Sequence, residues 1–153
     1  IPYGGKGFIR FTPGTDGIYL LGATSGSCAY SVISSDVPIG LYAGKRLSFI
    51  HGVKRLYFTV PEGIKRFTLS IRGSGSETVR LNVYDPSGVK VATGQTTLKR
   101  ERTKVEVNVG EGEGKVWSLE LTKADEGVLE DHSIQLHPKL PPALSLVPEH
   151  AFR

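Results

Sequence analysis

The sequence predicts an all-β protein, a two-sheet antiparallel β-sandwich, from three observations. Apolar residues recur at every second position: Phe67, Leu69 and Ile71 alternate with Arg66, Thr68, Ser70 and Arg72, and Val79, Leu81 and Val83 with Arg80, Asn82 and Tyr84. That is the period of strands with one buried face. Turn chemistry interrupts the alternation at Pro61-Glu62-Gly63, Gly73-Ser74-Gly75-Ser76 and Asp85-Pro86-Ser87-Gly88, where proline fixes φ and glycine accepts positive φ. About ten such segments of roughly five to seven residues exceed what one flat sheet holds, so they stack as two.

Taken in order, residues 7–11 (GFIRF) and 18–21 (IYLL) read as strands joined by the turn 12–17, a first hairpin. Residues 28–33 (CAYSVI) follow, ended by Pro38. Residues 46–50 and 55–60 flank His51-Gly52-Val53, a turn with glycine available for positive φ. After the central stretch come 89–92, 103–109, 115–122 and 128–136, with Gly110-Glu111-Gly112-Glu113-Gly114 as a long, flexible hairpin loop between the third and second of these from the end. Pro138, Pro141 and Pro142 lack the amide donor a central strand needs. The whole chain, 1–153, is expected to be a single domain with 138–153 as a proline-rich strap, helical or extended, docking Leu144, Leu146 and Phe152.

Composition agrees with one domain. The chain has 153 residues, 39% of them hydrophobic, enough for a core without disulfides, and its lone cysteine, Cys28, has no partner to bridge. No apolar run of about 18 residues is present, so no membrane span is expected, and no charged-then-apolar leader reads as a signal peptide. Beginning at Ile1 and lacking methionine throughout, the chain is expected to be a piece of a longer polypeptide. Its net charge of +4 and pI of about 9.2 favour anionic partners without naming one. Basic residues gather at 99–104 (KRERTK) and in the pairs Lys45-Arg46, Lys54-Arg55 and Lys65-Arg66; they read either as solvated guards of sheet edges or as a polyanion surface. Nucleic acid is not the expected polyanion, because no recognition helix, zinc spacing or RNP-like aromatic pattern occurs.

Across residues 56–88 the run LYFTVPEG, FTLSIRGSG, VRLNVYDPSG resembles the sandwich and jelly-roll accessory domains of secreted bacterial hydrolases. It is most similar to the bacterial pre-peptidase C-terminal type, in which an aromatic-Phe-x-Val-Pro-x-Gly segment precedes a strand and a Tyr-Asp-Pro-x-Gly turn. The resemblance implies a jelly-roll-like, extracellular, non-catalytic module beside a catalytic domain of the parent polypeptide. Related jelly rolls bind carbohydrate, many with a structural calcium ion. The additional strands KVWSLEL and LEDHSI fit a galactose-binding-like jelly roll attached to a glycoside hydrolase.

Period two assigns the polar face. With Phe67, Leu69, Val79, Leu81, Val83, Val105, Val107 and Val109 inward, Arg66, Thr68, Arg72, Arg80, Asn82, Tyr84, Lys104, Glu106 and Asn108 point outward. An aromatic ring with amide, carboxylate and guanidinium groups is what a sugar requires, the alternative being an ordinary solvated sheet face. The candidate ligand-binding residues are Arg80, Asn82 and Tyr84 first, then Arg66, Tyr57, Glu106 and Asn108. Trp117 shares its face with Leu119 and Leu121 and is assigned to the core. Tyr3, Tyr30 and Tyr42 could line a site at the loop end. His51, His132, His137 and His150 have no metal-binding spacing, although His132 follows Glu130-Asp131. Asp16, Glu77, Asp125, Glu126, Glu130 and Asp131 fall near turns where an oxygen-only calcium site could form. No catalytic elbow or phosphate loop is present, and the linear sequence pairs no carboxylates for hydrolysis.

The expected function is therefore that of a non-catalytic accessory module of a secreted bacterial enzyme, binding carbohydrate or polysaccharide, with anionic chains favoured by the basic excess. The alternatives are a structural spacer or protein-interaction domain without a glycan site, and, last, a small hydrolase or lyase.

Overall fold

The computed structural model describes residues 4–23 and 31–152. Among these residues ten strands form two antiparallel sheets: β1 Gly40–Tyr42, β2 Leu47–Phe49, β3 Val53–Thr59, β4 Arg66–Arg72, β5 Arg80–Tyr84, β6 Lys90–Gln95, β7 Arg102–Asn108, β8 Val116–Thr122, β9 His132–Gln135 and β10 Ala143–Ser145. The six-stranded sheet has the order β1-β10-β3-β8-β5-β6 and the four-stranded sheet β2-β9-β4-β7. Strand β1 pairs with β10, β2 with β9, β3 with β8, β4 with β7 and β5 with β6. The chain is thus one long nested hairpin wound into a jelly-roll-like β-sandwich.

The tip of that hairpin is Asp85-Pro86-Ser87-Gly88. Asp85 Oδ1 accepts the Ser87 hydroxyl at 2.6 Å and the amides of Ser87 and Val89 at 2.9 Å each. Gly88 takes the left-handed φ of 84° that closes the turn. These bonds, the Ser87 hydroxyl foremost, hold the Asp85 carboxyl below the usual carboxylate range.

Alternation puts the expected residues in the core. Phe58 and Trp117 are cross-strand partners on β3 and β8. Phe67, from the facing sheet, meets both rings edge-on, with centroids 5.7 Å from Phe58 and 5.6 Å from Trp117. Such contacts add about 0.5–1.5 kcal/mol to the burial of each pair. The Trp117 indole N–H donates to the Gly112 carbonyl at 2.8 Å, so its one polar atom is satisfied inside. At one edge the sheets close tightly. A Cβ on Gly94 of β6 would lie 2.6 Å from Val105 Cγ2 of β7, so any larger residue there would force the two strands or the Val105 side chain to shift.

Several expectations are corrected. The sandwich begins at β1, and residues 7–11 and 18–21 form no hairpin: Phe8 is 87% exposed and Leu20 68%. A lone two-stranded hairpin with no sheet to join has too little to bury. The expected strand 28–33 lies partly outside the described residues, as do Cys28, Tyr3 and Tyr30, and its part 31–33 is not a strand. In the turn before β3 the left-handed residue is His51, at φ 65°, rather than Gly52. The loop 110–114 is no hairpin, since β7 and β8 belong to different sheets. Nor is it loose: Gly114 N–H donates to Val60 O at 2.8 Å, and Glu113 Oε2 accepts the Gly63 amide at 2.7 Å. Finally, the strap does more than dock on the surface. Its residues 143–145 are β10, inserted between β1 and β3 with Leu144 fully buried, while Leu146 is exposed and a 3-10 turn, Pro148–His150, follows.

Candidate functional site

The predicted outward residues occupy two opposite faces, because β4 and β7 lie in one sheet while β3 and β5 lie in the other. Arg80, Asn82, Tyr84 and Tyr57 stand on the outer face of the six-stranded sheet. Arg66, Glu106 and Asn108 stand on the outer face of the four-stranded sheet, too far away to share a ligand. Period two predicts which side of its own sheet a residue takes, but not which sheet it belongs to.

On the six-stranded sheet, register builds rows across β8, β5 and β6: Ser118, Tyr84 and Lys90; Glu120, Asn82 and Thr93; Thr122, Arg80 and Gln95. Neighbouring strands lie about 4.8 Å apart, so row members touch. Tyr84 donates its hydroxyl to Glu120 Oε2 at 2.6 Å. Arg55 of β3 contacts Glu120 Oε1 through Nε at 3.2 Å and Ser118 Oγ through Nη1 at 3.2 Å, and lays its guanidinium 3.8 Å from the centre of the Tyr84 ring. The Glu120 bond, then burial, pushes the Tyr84 phenol above its ordinary value. Tyr84 is therefore held by its neighbours: one ring face is covered and its hydroxyl is engaged.

Beyond it the face is more open. Arg80, Asn82, Lys90, Thr93, Gly94, Gln95 and Asp125 line a shallow depression of about 350 Å³. Arg80 donates to Gln95 Oε1 through Nε at 3.2 Å and Nη2 at 2.6 Å and pairs with Asp125, which also accepts Gln95 Nε2 at 2.8 Å. The Arg80 bond, then that of Gln95, holds the Asp125 carboxyl below the usual range, so it is an ionised acceptor. Asn82 is only 8% exposed, and its Oδ1 accepts the Thr93 hydroxyl at 2.9 Å. Its amide nitrogen has no protein acceptor among the described residues and still reaches solvent. Guanidinium, amide, hydroxyl, ammonium and carboxylate thus meet on one fixed floor.

Thr93, Gln95 and Lys90 were not among the expected site residues, and Asp125 was expected only as a calcium-ligand candidate. Residues 91–95 (VATGQ) alternate weakly, and the expected strand stopped at Ala92; Asp125 reaches Arg80 across 45 positions of sequence. The C-terminal segment does not line the depression.

On the four-stranded sheet Arg66 Nη1 pairs with Glu106 at 3.1 Å, both side chains exposed. A second depression, of about 360 Å³, is lined by Thr68, Ser70, Lys104, Gln135, Leu136, His137 and Pro138.

His132 is buried, 4% exposed, beneath Phe49 at a ring distance of 6.1 Å. Its Nδ1 lies 2.6 Å from the Glu130 carbonyl oxygen, which can only accept, so Nδ1 carries the proton. Among the described residues its Nε2 has no partner, and burial pushes its pKa down. It therefore makes no ligand pair with the Glu130 or Asp131 carboxylates. Among the described residues no group of three or more His, Cys, Asp or Glu side chains is placed to hold a metal ion. Asp125 is engaged with Arg80, and Glu126 Oε1 accepts the Leu98 amide at 2.9 Å. Among the described residues no helix is long and apolar enough to cross a membrane.

No protein-family model matches the sequence, and no curated protein is detectably similar to it.

Proposed function

We propose that this sandwich is a non-catalytic carbohydrate-binding module of a larger secreted bacterial enzyme, and that the depression around Arg80, Asn82, Thr93, Gln95 and Asp125 receives the sugar. The observation that carries this reading is the composition of that floor. A hydroxyl-rich ligand needs donors and acceptors held side by side, and this floor has a free Asn82 amide donor, the Lys90 ammonium and the ionised Asp125 within one shallow concavity. Rows on three hydrogen-bonded strands fix those groups before any ligand arrives, which lowers the ordering cost of binding. Tethered to a catalytic neighbour, a weak module of this kind raises the enzyme's effective concentration at its substrate.

The test is an affinity-gel screen of the domain on neutral, uronic and sulfated polysaccharides, repeated with Arg80→Ala and Asn82→Ala. Retention on a neutral glycan that both substitutions abolish supports the reading; equal retention by both variants removes the site from this face.

A protein-interaction role has its own support. Phe8, Ile9, Phe11, Leu20, Leu21 and Ile33 are exposed on residues that join neither sheet, and such side chains suit packing on a neighbouring domain. Stabilisation of the parent enzyme by this domain, with no glycan retained, would favour that role.

A further inference from the structure

We infer that the end of the four-stranded sheet around Arg72, Arg102 and Lys104 is a second binding site, taking the sulfate or carboxylate groups of an anionic polysaccharide. The inference rests on the glycan-binding reading but uses the opposite face of the sandwich.

Its basis is an unfavourable pairing. Arg72 of β4 and Arg102 of β7 are direct cross-strand partners. Both point outward, because the neighbouring row, Ile71 with Thr103, points inward. Like charges placed directly opposite each other destabilise an antiparallel pair. The carboxylate nearest to them is Glu101, 3.8 Å from Arg72 Nη2, and its other oxygen already accepts the Gly75 amide at 3.3 Å. In the next outward row Lys104 stands opposite Ser70, which is flanked on its other side by Gln135. Neither Arg102 nor Lys104 has an ion-pair partner among the described residues.

Edge protection explains part of this arrangement. Strand β7 is the outer strand of its sheet, and charges there discourage pairing with other chains. It does not explain Arg72, because β4 is an interior strand, bonded by β7 on one side and β9 on the other. An anionic group between Arg72 and Arg102 would turn their repulsion into charge-assisted hydrogen bonds. The adjoining depression, with Thr68, Ser70, Gln135 and His137, then offers hydroxyl, amide and imidazole groups to the rest of the sugar. The opposite face has less of this excess: there Arg55 is matched by Glu120 and Arg80 by Asp125, leaving Lys90 as the cation of that depression without an ion-pair partner among the described residues. A polyanion is thereby directed to the four-stranded sheet.

The test compares dextran sulfate, polygalacturonate and uncharged dextran as probes, at about 0.05 M and about 0.5 M salt, where screening differs strongly. The proteins are the native chain, the triple variant Arg72→Gln, Arg102→Gln, Lys104→Gln, the single variant Arg72→Gln, and the double variant Arg80→Ala, Asn82→Ala. The native chain is expected to bind at least one polyanion at low salt, weaken about tenfold or more at high salt, and ignore dextran. The triple variant is expected to lose about tenfold or more at low salt, with an unchanged or raised Tm, and Arg72→Gln to lose part of that. The double variant, which should lose the neutral glycan, should bind the polyanion as the native chain does. Absence of salt-sensitive polyanion binding, or undiminished binding by the triple variant, would overturn the inference. Loss of polyanion binding in the double variant would overturn it too, by moving the anion to the Arg80 face. Neutral-glycan retention, lost only in Arg80→Ala and Asn82→Ala, reads the first site separately.

Discussion

Tyr84 and Glu120 face each other across β5 and β8, with the phenol donating to Glu120 Oε2 at 2.6 Å under the Arg55 guanidinium. Tyr84, which the linear sequence offers to a ligand, is thus committed to Glu120 and Arg55 instead.

Ionisation of Tyr84 reports this arrangement. Its pKa is raised above 10.0, chiefly by the bond to Glu120. The associated stability is fully present below the unfolded value and is lost as pH rises through the folded one. In a titration followed by ring-carbon NMR, Tyr84 should deprotonate above the unperturbed value and return toward it in Glu120→Gln. Tyr84→Phe should cost about 1 kcal/mol or less, since the group is only partly buried and its bond is exchanged for one to water.

His132 sets the acid side. Burial holds its folded pKa below the ordinary imidazole value of 6.5. The unfolded chain therefore takes up this proton first. Stability is complete above that value and declines as pH falls through the window below it, with a slope of at most about 1.4 kcal/mol per pH unit. Asp85, Glu113 and Asp125, whose pKa values are lowered from 3.8, 4.5 and 3.8, act only further down. Chemical denaturation at pH 7.5 and 5.5 should show the native chain weakening more than His132→Phe; equal losses would contradict the assignment.

Gly94 fixes how closely β6 approaches β7. A methyl group there would meet Val105 Cγ2 at 2.6 Å, and overpacking of this kind costs about 1–3 kcal/mol. Gly94→Ala should lower Tm by several degrees, which for a domain of this size corresponds to about 1–2 kcal/mol. The methyl points inward, but displacement of the β6 backbone that lines the first depression should weaken glycan retention as well.

Much of the sandwich could be read in the linear sequence, because burial on one face leaves a period-two signature. Strands β4, β5, β7 and β8 carry it in their core residues, β3 carries it from Leu56 onward, past the irregularity that separates Val53 from Leu56, and Trp117 declared itself by sharing a face with Leu119 and Leu121. Strands β1 and β10 have three residues each, too short for a period, and β10 follows prolines that argue against any strand. The apolar residues of 7–11 and 18–21 run side by side rather than alternating, and among the described residues they join no sheet, since local pattern carries no information about a partner. The site was half legible for a related reason. Arg80 and Asn82 follow from alternation, whereas Asp125 and Gln95 join them only through the pairing of β5 with β6 and β8. Likewise, that Arg66, Glu106 and Asn108 leave the site depends on β4 and β7 crossing to the other sheet.

The most direct measurement is an amide-shift titration of the domain with the neutral glycan that retains it most strongly. Saturable shifts confined to Arg80, Asn82, Thr93, Gln95, Asp125 and their neighbours are expected. Shifts confined to the four-stranded sheet or to the loops, or no shifts with any glycan of the screen, would contradict carbohydrate binding by this face.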